Sequence, residues 1–142
     1  MLVVGSGGAG MSAALAARAT GATVVIATKS ALGASNTGRA QGGIQAAVGA
    51  LDTLDSHYED TFAAGHRDAK PDLVRTLVAG GPDAIDWLTT LGVAFSREAD
   101  GYRVIRCGGA SRERLLQAGE RTGADMVKAL RAAVRSSGAA VH

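Results

Sequence analysis

The sequence has 142 residues, a formal net charge of +2 and a single cysteine. This length suits one modest domain, and so small a charge argues against nucleic acid or an anionic membrane surface as a partner. One cysteine excludes an internal disulfide framework and fits a reducing compartment, so we expect a cytoplasmic location. No stretch is apolar for long enough to span a bilayer, and no group of residues has the spacing of metal ligands.

The beginning of the chain predicts a strand, a tight turn, a helix and a second strand. Met1 to Val4 and Ala22 to Ala27 are apolar runs, and between them Gly5, Gly7 and Gly10 have G-x-G-x-x-G spacing. This order is typical of the βαβ unit that binds dinucleotides. Its glycines permit a sharp turn, the approach of a pyrophosphate and close helix packing, and the helix N-terminus offers free N–H groups. The alternative is a glycine-rich turn in an ordinary α/β domain.

The corner after the second strand departs from the usual pattern of this unit. An acidic residue there often hydrogen-bonds the ribose, whereas this chain has Thr28, Lys29 and Ser30. A hydroxyl group can still bond a ribose oxygen, so this corner remains part of the predicted nucleotide site.

A long segment without helical or strand periodicity follows, from Ser30 to Ala50. A loop of this length is usually functional or disordered. The hydroxyl groups of Ser30, Ser35 and Thr37 and the amide of Asn36 are candidate contacts to phosphate or ribose. Gly42-Gly43 would let backbone N–H groups approach a flat ring. The alternative is a flexible linker.

Three helices are predicted after this segment. The first covers Asp52 to Ala64, where apolar residues recur at three- and four-residue steps. Pro71 opens the second, and Pro82 opens the third after the break at Gly80-Gly81. His57 lies beside the apolar stripe of the first helix, and we interpret it as a packed or capping histidine.

A hairpin and a second glycine-containing loop come next. Val93 to Arg97 and Tyr102 to Arg106 predict two short strands around Asp100-Gly101. The loop Cys107 to Ser111 precedes two arginines, Arg112 and Arg114. An arginine there could hold a carboxylate through two hydrogen bonds, or the segment could be a solvated charge run. Cys107 is either a reactive thiol or, more simply, a buried one.

The end of the sequence predicts a last helix from Thr122 or Gly123, a turn at Ser136–Gly138 and the start of a third strand at Ala139 to Val141. Two strands and the start of a third make a poor independent core. Since Met1 also lies inside the first predicted strand, we expect residues 1–142 to be part of a longer domain.

Together these motifs resemble the flavoprotein family that contains the flavoprotein subunits of succinate dehydrogenase and fumarate reductase and L-aspartate oxidase. The matching stretches keep the family order: VVGSGGAG, TK, SNTGRAQGGIQAAVG, DSHYEDTFAAG, IDWLTTLGVAFSRE and GGASRERLLQAGERTG. The resemblance implies an α/β fold with a Rossmann-like FAD-binding βαβ unit, following helices and a short hairpin. Residues 1–142 would be the incomplete N-terminal part of the FAD-binding domain, ending before the rest of the sheet and the capping domain.

The resemblance also implies FAD as the cofactor. The implied binding residues are Gly5, Gly7, Gly8, Ala9, Gly10, Thr28, Lys29, Ser30, Ser35, Asn36, Thr37, Ala40, Gln41, Gly42 and Gly43. The resemblance places Gly5–Gly10, Thr28 and Lys29 at the AMP half, and it places Ser35 to Thr37 and Gln41 to Gly43 at the pyrophosphate and the isoalloxazine ring. Covalently flavinylated members resemble S-H-T at the loop, where this chain has Asn36. An amide is a very poor nucleophile, so we expect FAD to be held without a covalent bond.

The first hypothesis for function is hydride transfer between the flavin and a small dicarboxylate such as succinate or fumarate, with an electron-transfer subunit as a candidate partner. L-aspartate oxidase is the alternative. Its members resemble R-E-G-G-H-S where this chain has Cys107 in place of the glutamate and Ala110 in place of the histidine. A non-catalytic nucleotide-binding fragment is a third hypothesis. The catalytic residues of the family lie in the capping domain, so none is assigned here.

Overall fold

The computed structural model describes residues 1–142. In chain order the elements are β1 (Leu2–Val4), α1 (Gly8–Ala19), β2 (Val25–Ala27), β3 (Ile44–Gln45), α2 (Leu54–Ala64), α3 (Pro71–Ala79), α4 (Gly81–Thr90), β4 (Arg97–Glu98), β5 (Gly101–Tyr102), β6 (Val104–Ile105), β7 (Leu115–Leu116), α5 (Thr122–Ser136) and β8 (Ala140–Val141). One turn of 3-10 helix, Thr37–Arg39, lies between β2 and β3.

The first sheet is parallel and has the strand order β1-β2-β8. Val3 lies opposite Ile26, and Ile26 lies opposite Val141, so β2 is the central strand. Because the three strands run in the same direction, their carboxyl ends meet at one edge, where open α/β sheets bind their ligands. The predicted βαβ unit and the predicted third strand are both confirmed.

Helices α1 and α5 share one hydrophobic core with this sheet. Met11 and Ala14 of α1 and Leu130 and Val134 of α5 are buried in the same cluster as Ile26. A fully buried aliphatic side chain contributes about 1.5–3 kcal/mol relative to an exposed one. This packing fixes the first turn of α1 next to the carboxyl ends of β1 and β2.

The second sheet is antiparallel, has the order β3-β7-β6, and corrects the hairpin prediction. The hairpin predicted from Val93–Arg97 and Tyr102–Arg106 is limited to β4 and β5. The N–H of Arg103 donates to the carbonyl of Ser96, after which the chain leaves the hairpin and β6 pairs with β7. Val93 and Phe95 are buried in the main core. Phe95 forms an antiparallel bridge with Ala118, so this apolar stretch pairs with the chain after β7 and does not extend the hairpin.

The helices begin close to their predicted positions. Helix α2 begins at Leu54 and not at Asp52, because Thr53 is its N-cap and accepts the N–H of Ser56 at 3.1 Å. A cap of this kind contributes about 1 kcal/mol. Helix α3 begins at Pro71 as predicted, and α4 begins one residue before Pro82. None of the helices combines the length and the apolar character that crossing a membrane requires.

Candidate functional site

A cleft of about 940 Å³ opens where β1 and β2 end. Its walls are the turn after β1, the corner after β2 and the loop that follows that corner. Seven of the predicted binding residues line it: Gly5, Gly7, Thr28, Lys29, Ser30, Ser35 and Asn36. The structure thus brings together three segments that are far apart in the sequence.

The glycines of the first turn have conformational reasons to be glycine. Gly5 has a φ of +98°, a region that side chains rarely adopt, so the chain turns sharply off β1. A Cβ atom added to Gly10 would collide with the carbonyl oxygen of Gly5, so only glycine lets α1 lie this close to the turn. Both positions have the backbone roles that the G-x-G-x-x-G spacing predicts.

The N-terminus of α1 keeps free donors beside this cleft. Gly7 is the N-cap residue, and no side chain caps the helix from that position. The N–H of Gly8 donates to Thr37 Oγ1 at 3.1 Å, whereas the N–H groups of Ala9 and Gly10 have no acceptor within the chain. The first turn has no acidic residue, so the positive end of the helix dipole is not neutralised. Gly7 is among the residues that line the cleft, whereas Gly8, Ala9 and Gly10 are not.

A buried serine that the sequence analysis missed connects the three walls. Ser6 Oγ lies 2.7 Å from Thr28 Oγ1 and accepts the N–H of Gly33 at 3.2 Å. Ser6 is buried, and the predicted hydroxyl of Thr28 is therefore engaged with it. In the sequence, Ser6 stands out only as a serine between the first two glycines of the motif. Its hydrogen bond to Thr28, more than twenty residues away, cannot be predicted from local sequence.

The loop after β2 is packed against α5, so the alternative of a flexible linker is wrong. Gly33 has a φ of +81°, and a Cβ atom there would meet Val127 Cγ1 at 2.7 Å and Arg131 Cδ at 2.8 Å. The N–H of Gly123 donates to the carbonyl of Ala40 at 3.0 Å. The N-terminal half of α5 thus sets the position of the whole loop.

The last predicted residues of the loop lie outside this cleft. Ala40, Gln41, Gly42 and Gly43 lead into β3, and the carbonyl of Gly42 accepts from Gln117 Nε2 at 2.9 Å. The N–H groups of Gly42 and Gly43 have no acceptor within the chain, and the space beside Gly42 is open to at least 4 Å. This stretch is an exposed strip of backbone donors at the entry to the second sheet.

The ionisable residues that line the cleft are both cationic. They are Lys29, which was predicted, and Arg39, which was not. Both side chains are exposed, and neither takes part in an ion pair or a side-chain hydrogen bond. Together with the free helix N-terminus and the hydroxyl groups, they make a donor-rich cleft that fits the diphosphate of FAD.

A second cluster lies around a buried arginine, Arg114, directly before β7. The side chain of Arg114 has no exposed surface and forms two hydrogen bonds with Asp52, both of 2.8 Å. It also donates to Asp60 at 2.6 Å and to Ser56 at 3.0 Å. The prediction that an arginine here holds a carboxylate is confirmed for Arg114, and the carboxylates belong to the chain itself. Arg112 is exposed, as a solvated charge would be.

The neighbours of this arginine have shifted pKa values. Burial raises the pKa of Asp60, but hydrogen bonds from the backbone and hydroxyl of Ser111 and from Arg114 outweigh burial and hold it below 3.8. Hydrogen bonding to Asp52 raises the pKa of Arg114 above its ordinary value, against the effect of its own burial. Arg114 and Asp60 are therefore both charged at neutral pH.

His57 is a packed histidine, as predicted. It is buried, and its Nδ1 atom has no hydrogen-bond partner. Burial lowers its pKa below 6.5, and the positive charge of Arg114 lowers it further, while Asp52 and Asp60 act in the opposite direction. His57 is therefore neutral at pH 7 and contributes packing to the cluster.

Cys107 is a free, half-buried thiol in the turn before this cluster. Its carbonyl accepts the N–H of Ala110 at 3.2 Å, and Nε of Arg106 donates to the carbonyl of Ala110 at 2.9 Å. These contacts explain the shape of the turn and involve only backbone acceptors, so they give the thiol no specific partner.

Comparison with known proteins gives one consistent result. The sequence profile of the family described as "FAD binding domain" matches residues 1–142. The chain is 42% identical to L-aspartate oxidase of Streptomyces coelicolor over 140 residues, which are 97% of this chain and 24% of that protein. It is 40% identical to L-aspartate oxidase of Mycobacterium leprae over 92% of this chain and 26% of that protein.

Solved structures show the same fold. A mutant FrdA chain of E. coli quinol fumarate reductase has a TM-score of 0.90 and 32% identity, over 99% of this chain and 24% of that one. The Sdh1 complex of Mycobacterium smegmatis has a TM-score of 0.89 and 33% identity, over 95% of this chain and 23% of that one. The chain thus spans about a quarter of the length of the proteins it matches.

Proposed function

The chain belongs to the FAD binding domain family, and we propose that it is the FAD-binding part of an oxidoreductase that acts on a small dicarboxylate. The observation that carries this proposal is the donor-rich cleft at the end of β1 and β2. It combines a glycine turn, the N-cap residue Gly7 of a helix that no side chain caps, and two cations without an acidic partner. FAD supplies the hydride chemistry when it is bound, and the protein supplies binding and orientation.

Each wall of the cleft has a proposed role in holding FAD. Gly7 and the first turn of α1 would face the diphosphate, where backbone N–H groups suit an anion. Thr28, Lys29 and Ser30 would face the ribose of the AMP half. Beyond the cleft, Gly42 and Gly43 would offer backbone N–H groups to the isoalloxazine ring. The free donors of these glycines support that role.

We further propose that FAD is held without a covalent bond. Asn36 lines the cleft where covalently flavinylated members would have a histidine, and no histidine is among the lining residues. His57 is buried beside Arg114 in the second cluster. The single free cysteine supports a proposed cytoplasmic location.

Succinate or fumarate is the first candidate substrate, because Cys107 and Ala110 replace the glutamate and histidine of the L-aspartate oxidase pattern. The similarity to a quinol fumarate reductase and to the Sdh1 complex supports an electron-transfer subunit as a partner. L-aspartate is the second candidate, and the 42% identity to an L-aspartate oxidase favours it. A non-catalytic nucleotide-binding protein is the remaining alternative.

We also propose that residues 1–142 are the N-terminal part of a larger FAD-binding domain. Leu2 and Val4 of β1 are 64% and 82% exposed. Strands of parallel sheets are normally covered on both faces, and an uncovered apolar edge strand is prone to association. The relatives are about four times as long as this chain, which supports the proposal that a further segment of the same polypeptide covers β1.

The test uses the protein that carries this chain, purified as it is expressed. A flavin absorbance spectrum distinguishes either enzyme from a protein without FAD. Reduction of fumarate by a reduced dye is then compared with hydrogen peroxide release from L-aspartate. We expect a flavin spectrum and turnover of fumarate.

The matched variants are Gly7→Val, in the turn, and Gly108→Val, at an exposed glycine with nothing within 4 Å of an added Cβ. Gly7→Val places a branched side chain against Ser35 and Thr37, where the diphosphate would lie, so it should abolish FAD binding while the protein stays soluble. Gly108→Val should keep stoichiometric FAD. Retention of FAD in Gly7→Val would contradict the proposed cleft, and turnover of L-aspartate alone would replace the first candidate substrate by the second.

A further inference from the structure

One side chain holds the strip of backbone that leads into β3. Gln117, the residue directly after β7, donates from Nε2 to the carbonyl of Gly42 at 2.9 Å. No other side chain hydrogen-bonds the backbone of residues 41–43. Gln117 is half-buried and does not line the cleft at the end of β1 and β2. It therefore acts on a different part of the predicted binding set, the glycine pair.

The backbone on both sides of Gln117 is anchored. Its own carbonyl accepts the N–H of Ser96 at 2.8 Å, and the N–H of Ala118 donates to Thr122 Oγ1 at 3.1 Å. The side chains of Leu116 and Ala118 are fully buried. The side chain of Gln117 therefore leaves the chain at a fixed point at the end of β7.

The peptide that Gln117 holds has little conformational restriction of its own. It joins two glycines, and glycine restricts the backbone less than any other residue. Gly43 has a φ of +142°, and a Cβ atom there would collide with the carbonyl oxygen of Leu116, so a side chain is excluded at this position. The hydrogen bond from Gln117 supplies an orientation that the glycines themselves do not.

This hydrogen bond also sets the direction of the next N–H group. The carbonyl of Gly42 and the N–H of Gly43 belong to one planar peptide unit, and in a trans peptide they point in opposite directions. Because Gln117 holds the carbonyl, the N–H of Gly43 points away from Gln117. That N–H has no acceptor within the chain. A hydrogen bond at the carbonyl polarises the whole peptide and so makes the N–H a stronger donor.

We propose that Gln117 is a positioning residue for the flavin and acts through the Gly42–Gly43 peptide. It aligns and polarises this peptide so that the N–H of Gly43 donates to the isoalloxazine ring. This inference rests on the proposed function, which assigns the two glycines to that ring. Reduction adds electrons to the ring, so a donor aimed at it stabilises reduced FAD more than oxidised FAD. Gln117 thereby raises the reduction potential of the bound flavin.

The test measures that potential in the flavin-loaded protein that carries this chain. Gln117→Met keeps the length of the side chain but has no N–H donor, so the glycine peptide is free to turn. The loss of one typical hydrogen bond predicts that reduced FAD binds about fivefold more weakly relative to oxidised FAD, which lowers the two-electron potential by about 20 mV. The potential is measured by reduction in the presence of a reference dye.

A glutamine on the neighbouring strand gives the matched control. Gln45 lies on β3 and is exposed, so Gln45→Met should leave the potential unchanged. Gln117→Glu is a second variant, which keeps the shape of the side chain but presents only oxygen atoms to the carbonyl of Gly42. Gln45→Glu controls for its added charge. The unfolding temperature of each flavin-free variant shows whether the fold has changed.

The outcomes are distinguishable. A lower potential in each Gln117 variant than in the matching Gln45 variant, at an unchanged unfolding temperature, confirms the positioning role. Equal potentials with FAD bound overturn the inference and leave the proposed function standing. A fall in potential that is matched by a fall in unfolding temperature marks a structural role and also overturns the inference. An unmodified protein that binds no FAD overturns the proposed function, and this inference with it.

Discussion

Arg114 and Asp52 form a buried two-point ion pair that joins the chain before β7 to the chain before α2. Their side chains are 0% and 1% exposed, and Nε–Oδ2 and Nη2–Oδ1 are both 2.8 Å. Asp60 completes the arrangement from α2 and also accepts the N–H and the hydroxyl of Ser111. Arg114 therefore holds together the chain before β7, the chain before α2 and helix α2 itself. Its carbonyl also accepts the N–H of Ala46, directly after β3, the strand that begins after Gly42-Gly43.

Replacing this arginine should destabilise the protein strongly. Arg114→Met keeps most of the side-chain volume but leaves Asp52 and Asp60 without their buried partner, and breaking such a pair costs about 3–5 kcal/mol. The exposed neighbour gives the control, since Arg112→Met should change the free energy of unfolding by less than about 0.5 kcal/mol. Chemical denaturation of the two variants measures the difference. Equal stabilities would mean that the cluster contributes nothing to the fold.

Elements defined by local pattern were predicted well. The apolar runs and glycines give β1, α1 and β2, Pro71 marks the start of α3, and a turn at Ser136–Gly138 marks the way to β8. Each of these depends on the chemistry of a few adjacent residues. The predicted hairpin was too long because Phe95 pairs with Ala118, a distant partner that the alternation of apolar residues does not reveal.

The composition of the cleft was only partly predictable, because its lining depends on contacts between distant segments. Ser6 bonds Thr28 across the turn, and the loop with Gly33 is positioned by α5. Arg39 was missed because nothing near it in the sequence marks it as a cleft residue. A short-range pattern identifies the glycine turn, whereas the partners that reach it depend on the tertiary fold.

The stability of the protein should fall below neutral pH because of His57. Its folded pKa lies below 6.5, so the unfolded chain takes up a proton at a higher pH than the folded chain does. Unfolding is therefore favoured progressively as the pH falls from 6.5 towards the folded pKa, and the effect is complete below that value. Thermal unfolding measured between about pH 7 and pH 5 should show this slope.

Two histidine variants identify the source of that slope. His57→Gln removes the titrating ring, so its unfolding temperature should vary less with pH over the same range. His66→Gln changes an exposed histidine and should keep the slope of the unmodified protein. A slope that persists in His57→Gln would assign the effect to another group.

A methyl group at Gly10 should strain the first turn. The added Cβ atom would collide with the carbonyl oxygen of Gly5, and because the clashing atoms are backbone atoms, no flexible side chain can move away to make room. Overpacking of this kind costs about 1–3 kcal/mol, so Gly10→Ala should lower the unfolding temperature and weaken FAD binding together. Gly108→Ala has nothing within 4 Å of its added Cβ and should change neither property. A Gly10→Ala protein with normal stability would contradict the close packing of α1 on the turn.

FAD should leave the protein when the fold is lost, because the cleft offers only reversible contacts. Asn36 cannot form the bond to the flavin that a histidine forms, since the lone pair of its amide nitrogen is delocalised. The remaining contacts are backbone N–H groups, hydroxyl groups and the two cations, and all of them depend on the folded cleft. Acid precipitation of the flavin-loaded protein should therefore release the yellow colour into the supernatant after centrifugation. Flavin fluorescence that migrates with the polypeptide on a denaturing gel would show a covalent link and would assign it to a residue other than Asn36.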